Sequence, residues 1–245
     1  MKKQIWGLAI GFLMFGMVGV AKAVMFVPGF GDTGWQNYNR SFESGFTGTV
    51  GFVVSDVIDA FGSPSMLIDN LSHSGDPANS GFELGDADIP GYVLNDQNSF
   101  SWVYGGPFSS GYSPDYYPTE GDWMFWLDAY GENDSFEAGG IDTSAFTNYY
   151  GDSGRTGSIL ETQISLNPDE IFSFDWAFLS IDELSLPDFS AIFFRDGTSN
   201  TILFQEVLGQ VRIEEPAPVP EPSTLILLGF GMVGLAGIAR KTMKN

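Results

Sequence analysis

The chain reads as an all-β sandwich, and three features of its composition predict it. Short runs of aromatic and β-branched residues recur, separated by clusters of Gly, Pro, Asn, Asp and Ser, which punctuate strands with turns. The 245 residues include 22 Phe, 9 Tyr and 6 Trp against 31 Gly and 13 Pro. Between Val24 and Glu215 no long stretch repeats its apolar residues at helical spacing, so no amphipathic helix is expected there.

Taken in order, the first element is a leader. Lys2 and Lys3 form a positive start, Ile5 to Val20 an apolar run, and Ala21-Lys22-Ala23 a small-x-small cleavage site, so residues 1–23 read as a signal peptide. An uncleaved signal anchor is the alternative. Residues 24–78 form an N-terminal β region, too short to close its own sandwich and expected to share the later core. Residues 79–212 form the main sandwich. Strands are expected at Gly48 to Ile58, Ser65 to Asn70, Tyr92 to Leu94, Phe100 to Tyr104, Trp123 to Tyr130, Ser158 to Leu166, Ile171 to Leu179, Phe189 to Arg195 and Thr201 to Leu208. Asp196-Gly197 suits a tight hairpin turn, and Asn167-Pro168-Asp169 separates two strands. Val50 to Asp59 followed by Ser65 to Asn70 echoes Ile171 to Asp182 followed by Phe189 to Gly197; each is read as a hairpin. Residues 109–120, rich in Gly, Ser, Pro, Tyr and Asp, are expected to be a long loop.

The C-terminal end has three parts. Residues 213–222 are a Pro- and Glu-rich spacer ending in Pro220-Glu221-Pro222. Residues 223–239 are apolar; as a helix they span roughly 26 Å, just short of the ~30 Å hydrocarbon core. Residues 240–245 carry Arg240, Lys241 and Lys244, which can snorkel to the interface and hold this end in the cytoplasm. A Pro-Glu-Pro tripeptide, a short Gly-containing membrane helix and a basic terminus, in that order, resemble the PEP-CTERM sorting signal. The resemblance implies an exosortase-type processing enzyme as partner, with cutting near the tripeptide. It also implies transient anchoring in the inner membrane, then release to the cell surface or the extracellular medium. The sorting residues are then Pro220, Glu221, Pro222, Arg240 and Lys241, and the leader cleavage residues Ala21 and Ala23. An ordinary C-terminal anchor with a proline-rich linker is the plainer alternative.

Charge narrows the partners. All 31 acidic residues lie between positions 24 and 222, where only Arg40, Arg155, Arg195 and Arg212 oppose them, a net charge of −27 with no lysine. Such a surface repels nucleic acid and anionic headgroups. There is no cysteine, so neither a disulfide nor a thiolate metal site holds this exported region together.

Three fragments carry a second resemblance. Asn79-Ser80-Gly81-Phe82-Glu83-Leu84-Gly85-Asp86 is similar to the first strand of galactose-binding-like jelly-roll domains. Pro118 to Met124 and Ile171 to Leu179 are similar to strands that follow in them. The resemblance implies a jelly-roll-type sandwich between the signal peptide and the C-terminal transmembrane helix. In such modules the place of Glu83 often holds a structural calcium ligand, with Asp86 and Asp88 close by. Asp56, Asp59 and Asp69 form another acidic group. Calcium takes six to eight oxygens, and these acids can supply some; keeping a lysine-free surface solvated is their other role.

Catalytic patterns are weak. The single histidine, His73, lies in a Ser/Gly/Asp loop. Gly151-Asp152-Ser153-Gly154 has the shape of a serine nucleophile turn but lacks its usual partners. Val27 to Gly31 looks like an oxyanion loop, yet no G-x-S-x-G elbow follows. With 31 acids some carboxylate pair falls about 5–9 Å apart in any fold, so pairing alone does not indicate a glycosidase. Aromatics in or beside the long loop, Trp102, Tyr112, Tyr116 and Tyr117, are candidates for stacking on sugar rings, or for core. The sequence is therefore read as a non-enzymatic structural or adhesive protein of an exopolysaccharide-associated layer. A module binding matrix polysaccharide is the alternative, and an extracellular hydrolase the third reading.

Overall fold

The computed structural model describes residues 23–57, 64–73, 81–84, 91–95, 101–109, 115–129, 141–181 and 187–213. The chain divides into two units, Met1–Arg212 and Ile213–Asn245, and only Ile213 of the second lies among these residues. The leader up to Lys22, the expected membrane helix and the basic tail lie outside them.

Thirteen strands are described: β1 (Met25–Val27), β2 (Gly31–Asp32), β3 (Gln36–Ser41), β4 (Phe46–Asp56), β5 (Ser65–Ser72), β6 (Tyr92–Asn95), β7 (Trp102–Gly105), β8 (Trp123–Asp128), β9 (Ile141–Asp142), β10 (Thr156–Leu166), β11 (Ile171–Ser180), β12 (Phe189–Asp196) and β13 (Ile202–Val211). They form two sheets and no helix among the described residues. One sheet runs β1-β13-β12-β4-β10-β6, with β9 also on β10. The other runs β2-β11-β5-β8-β7, with β3 also on β11. All pairs are antiparallel except β1 with β13, which is parallel.

Alternation explains which faces meet. On β11, Phe172, Phe174, Trp176 and Phe178 point into the space between the sheets, where they join Val50, Phe52 and Val54 of β4 and Ile192 and Phe194 of β12. β4 is buried along nearly its whole length because it is central and covered on both sides. Its Val53 faces the other way, into a second cluster with Phe146, Ile159, Phe189, Ala191 and Phe193. A third cluster, Leu67, Met124, Ala177 and Leu179 with Phe108 and Tyr116, covers the outer face of the β5–β8–β11 sheet. Rings dominate the middle: Phe52 and Phe174 meet edge-on at 4.8 Å, and Phe194 contacts Phe42, Phe46 and Phe172 at 5.1–5.7 Å. Such pairs add about 0.5–1.5 kcal/mol each beyond their buried area.

The two echoing segments are not hairpins, which corrects the sequence reading. β4 and β5 lie in different sheets, as do β11 and β12. Each segment crosses the sandwich, and the two crossings lie antiparallel along one another, β4 on β12 and β5 on β11. Similar turn chemistry serves a crossover as well as a hairpin, so the local pattern does not separate the two. At Asn167-Pro168-Asp169, Pro168 has no N–H to continue the β10 ladder. Asp169 adopts φ 61°, its N–H donates to the Phe42 carbonyl at 3.0 Å, and the chain passes to the other sheet. Asp196-Gly197 does open a hairpin, but through a five-residue connection rather than two. The Asp196 carboxylate accepts the N–H groups of Thr198 (2.9 Å) and Ser199 (2.6 Å), and Asn200 takes the positive φ.

The four strands absent from the sequence reading are short or polar. β3, Gln-Asn-Tyr-Asn-Arg-Ser, buries only Tyr38 and Arg40. Those two clamp the sheets together. The Arg40 guanidinium carbon lies 3.4 Å from the Phe204 ring centre and 5.2 Å from that of Phe42, and Nη1 is 3.8 Å from Glu206 of β13. The Tyr38 hydroxyl donates to the same Glu206 carboxylate at 3.2 Å. Burial, reinforced by the Glu206 charge, pushes the Tyr38 phenol above its ordinary range, so it stays protonated and donates at any physiological pH.

Candidate functional site

A densely hydrogen-bonded polar turn, Pro118–Trp123, leads into β8. Asp69, fully buried on β5, directs its carboxylate at this turn. It accepts the N–H of Thr119 (2.6 Å) and of Glu120 (3.1 Å), the Thr119 hydroxyl (3.0 Å) and, on its other oxygen, the N–H of Asn70 (2.7 Å). Burial raises the Asp69 carboxyl above the usual carboxylate range, and these donors pull it partly back. On the far side, Glu83 accepts the N–H of Asp122 (3.1 Å) and of Trp123 (3.3 Å). Two carboxylates thus hold four successive-turn amides, as a pair of caps would. Gly121 permits it: its φ is +62°, and a Cβ there would sit 2.1 Å from Glu83 Oε1. Gly121→Ala is expected to cost about 1–3 kcal/mol from strain and displacement of Glu83, read as a lowered denaturation midpoint at unchanged slope.

This arrangement changes the meaning of several residues singled out above. The Glu83 carboxylate is engaged by backbone donors, and its companions Asp86 and Asp88 lie outside the described residues, as does Asp59. Asp56 is buried at the end of β4, away in the other sheet from Asp69 of β5, so the acidic group expected there is split between sheets. Among the described residues no group of three or more His, Cys, Asp or Glu side chains is placed to hold a metal ion.

The aromatic candidates also separate. Tyr116 is only 5% exposed, which puts its ring in the core, one of the two roles open to it from sequence. Its ring packs edge-on against Trp35 at 5.8 Å, and its hydroxyl donates to the Asp32 carboxylate through a short contact. Burial first, then Asp32, raises this phenol above its ordinary range. The segment around Tyr116 bridges to Phe108 and straps the outer face of the sheet, which is why a loop tyrosine became core. Tyr117 is exposed, with its carbonyl accepting the Trp35 indole N–H at 2.9 Å. Trp102 is half-exposed on the edge strand β7, edge-on to Trp126 at 4.7 Å. Tyr112 lies outside the described residues. On β8, Phe125 and Leu127 face the inter-sheet core, while Met124 and Trp126 lie under the strap.

The nucleophile-like turn Gly151-Asp152-Ser153-Gly154 lies in a tight hairpin, with Asp152 hydrogen-bonded to Asn148. Val27 to Gly31 forms the corner from β1 to β2. Ala23, at the expected leader junction, is exposed and lies two residues before β1. Ala21, Pro220, Glu221, Pro222, Arg240 and Lys241 lie outside the described residues, and among the described residues no helix is long and apolar enough to cross a membrane. What decides the C-terminal segment is its sequence compared with known families.

Residues 218–241 match the PEP-CTERM protein-sorting motif. The PEP-CTERM match takes in Pro220-Glu221-Pro222, the apolar stretch and both Arg240 and Lys241. A PEP-CTERM motif marks an exported surface protein, anchored in a membrane during sorting and processed by an exosortase-type enzyme. No curated protein and no solved structure matches the chain.

Proposed function

We propose that this chain is a non-enzymatic surface or matrix protein delivered by exosortase-type sorting, in which an acidic β-sandwich is the cargo and the two apolar ends are removed. The PEP-CTERM match at residues 218–241 carries the reading. The charge distribution supports it, since all 31 acids lie between the two ends and every lysine lies within them. A jelly-roll type for the sandwich is supported by strand order. The run β3-β4-β5 alternates between sheets, the run β10-β11-β12 alternates back, and each later strand is laid beside an earlier one, the wrapping of a Greek key. Its role is structural or adhesive, in a layer built with exopolysaccharide.

Mass spectrometry of C-termini in the surface fraction tests the delivery. Copies ending near Glu221 are expected, and Pro220→Ala/Pro222→Ala should leave the chain membrane-bound and ending at Asn245. Surface copies of the wild type that all retain Asn245 would overturn the reading.

A further inference from the structure

A second aromatic surface lies far along the chain from the strap. Residues 146–154 fold into a hairpin over the outer face of the β12–β13 sheet, and its tip is Tyr149-Tyr150-Gly151. Thr147 bridges Ser153, the Asn148 N–H donates to the Asp152 carbonyl at 2.9 Å, and the Asp152 N–H donates to Asn148 Oδ1 at 2.9 Å. Gly151 closes the tip at φ 89°. The hairpin is also fastened from below. Phe146 packs on Phe193 at 5.0 Å, Gln205 Nε2 donates to the Thr147 carbonyl at 2.7 Å, and Gln210 Oε1 accepts the Tyr149 N–H at 2.8 Å.

This fastening holds two tyrosines in solvent. Tyr149 is 62% exposed and Tyr150 45%. They meet each other edge-on at 5.7 Å and meet Phe26 of β1 at 5.4 and 6.1 Å, which makes a three-ring platform of fixed shape. Beneath it, Gln210 is fully buried and its Nε2 has no acceptor.

We infer that the Phe26–Tyr149–Tyr150 platform binds a neutral polysaccharide by stacking one or two pyranose rings. Size and charge choose this occupant. At roughly 200 Å² per aromatic side chain the two tyrosines expose about 200 Å² together. That is well below the ~800 Å² per partner of a specific protein interface, but ample for a sugar face. A net charge of −27 over residues 24–222 disfavours an anionic glycan. Pyranose rings pair an apolar C–H face with a rim of hydroxyls, which fits exposed rings beside the Asp152 carboxylate and the phenol hydroxyls. Rigid rings lose little entropy on binding. The inference rests on the matrix-protein reading only for where the glycan is met, and its test does not involve sorting.

Affinity electrophoresis of the full chain in mild detergent, through gels containing neutral glucans and galactans or alginate, provides that test. Retardation by at least one neutral polysaccharide is expected. Tyr149→Ala/Tyr150→Ala should weaken it at least tenfold, and Tyr149→Phe/Tyr150→Phe should keep most of it; near-UV circular dichroism checks that each variant is folded. Three results would overturn the inference: no retardation by any neutral polymer, retardation by alginate alone, or loss on Trp102→Ala/Tyr117→Ala with the Tyr149/Tyr150 variants unaffected.

Discussion

Arg40→Met is expected to destabilise the sandwich by about 3–5 kcal/mol, and Glu206→Gln in the same chain to restore more than half of that. Both side chains are largely buried, at 6% and 13% exposure, so methionine in place of the guanidinium strands the Glu206 charge in a low-dielectric seam. The seam also loses a cation seated 3.4 Å from the Phe204 ring, an interaction of about 2 kcal/mol when desolvated. Glu206→Gln removes the stranded charge while its amide oxygen still accepts from the Tyr38 hydroxyl. Urea denaturation of the two single variants and the double variant gives the coupling directly. Additive losses, with no recovery in the double variant, would show that Arg40 acts through packing alone. The clamp matters because β3 joins the one sheet and β13 the other.

Asp69→Ala is expected to cost about 2–4 kcal/mol, roughly 4–16 °C in Tm for a domain of this size. The variant leaves the N–H groups of Thr119, Glu120 and Asn70 without their acceptor, and the turn that ends the strap over the outer sheet face comes loose. Hydrogen exchange at Thr119 and Glu120 should accelerate with it. The pH dependence has a definite sign. The folded-state pKa of Asp69 is raised, so the folded chain binds the proton more readily than the unfolded chain does. Its contribution is therefore largest below the ordinary carboxylate pKa and declines as pH rises through the raised value. Asp69→Asn removes that slope, so the stability advantage of the wild type over Asp69→Asn should grow as the pH is lowered from neutral towards 4. A gap that shrinks instead would mean the ionised form is the favoured one.

Strands with a heavy apolar alternation were legible from sequence because each pays its way in the core: β4, β10, β11 and β12 all read within two residues of their ends. β3 was not, because an edge strand needs no second apolar face, and its Gln, Asn and Ser residues look like loop. The crossings at β4–β5 and β11–β12 were invisible because whether a turn returns to its own sheet or the opposite one is settled by long-range packing. The sorting segment was the most legible functional feature, since it is recognised as linear order and composition. Tyr116 and Tyr149 show the converse. Both are tyrosines beside Gly and Asp in loops, and only the sheet beneath decides which ring is buried and which displayed. The adjacent pair Tyr149-Tyr150 before the Gly151-Asp152 turn is the local sequence signal for the displayed rings.

The parallel register of β1 on β13 has a consequence for how the chain matures. Residues 25–27 find their partners only at 209–211, nearly the whole domain later. A chain threaded through a pore from its N-terminus must keep that first strand waiting until the last one emerges, so the edge closes late and the interior assembles before the ends are sewn. Until then the edge of β12 that β13 covers is bare, which makes prompt completion of transport the step that guards newly arrived molecules against sticking to each other.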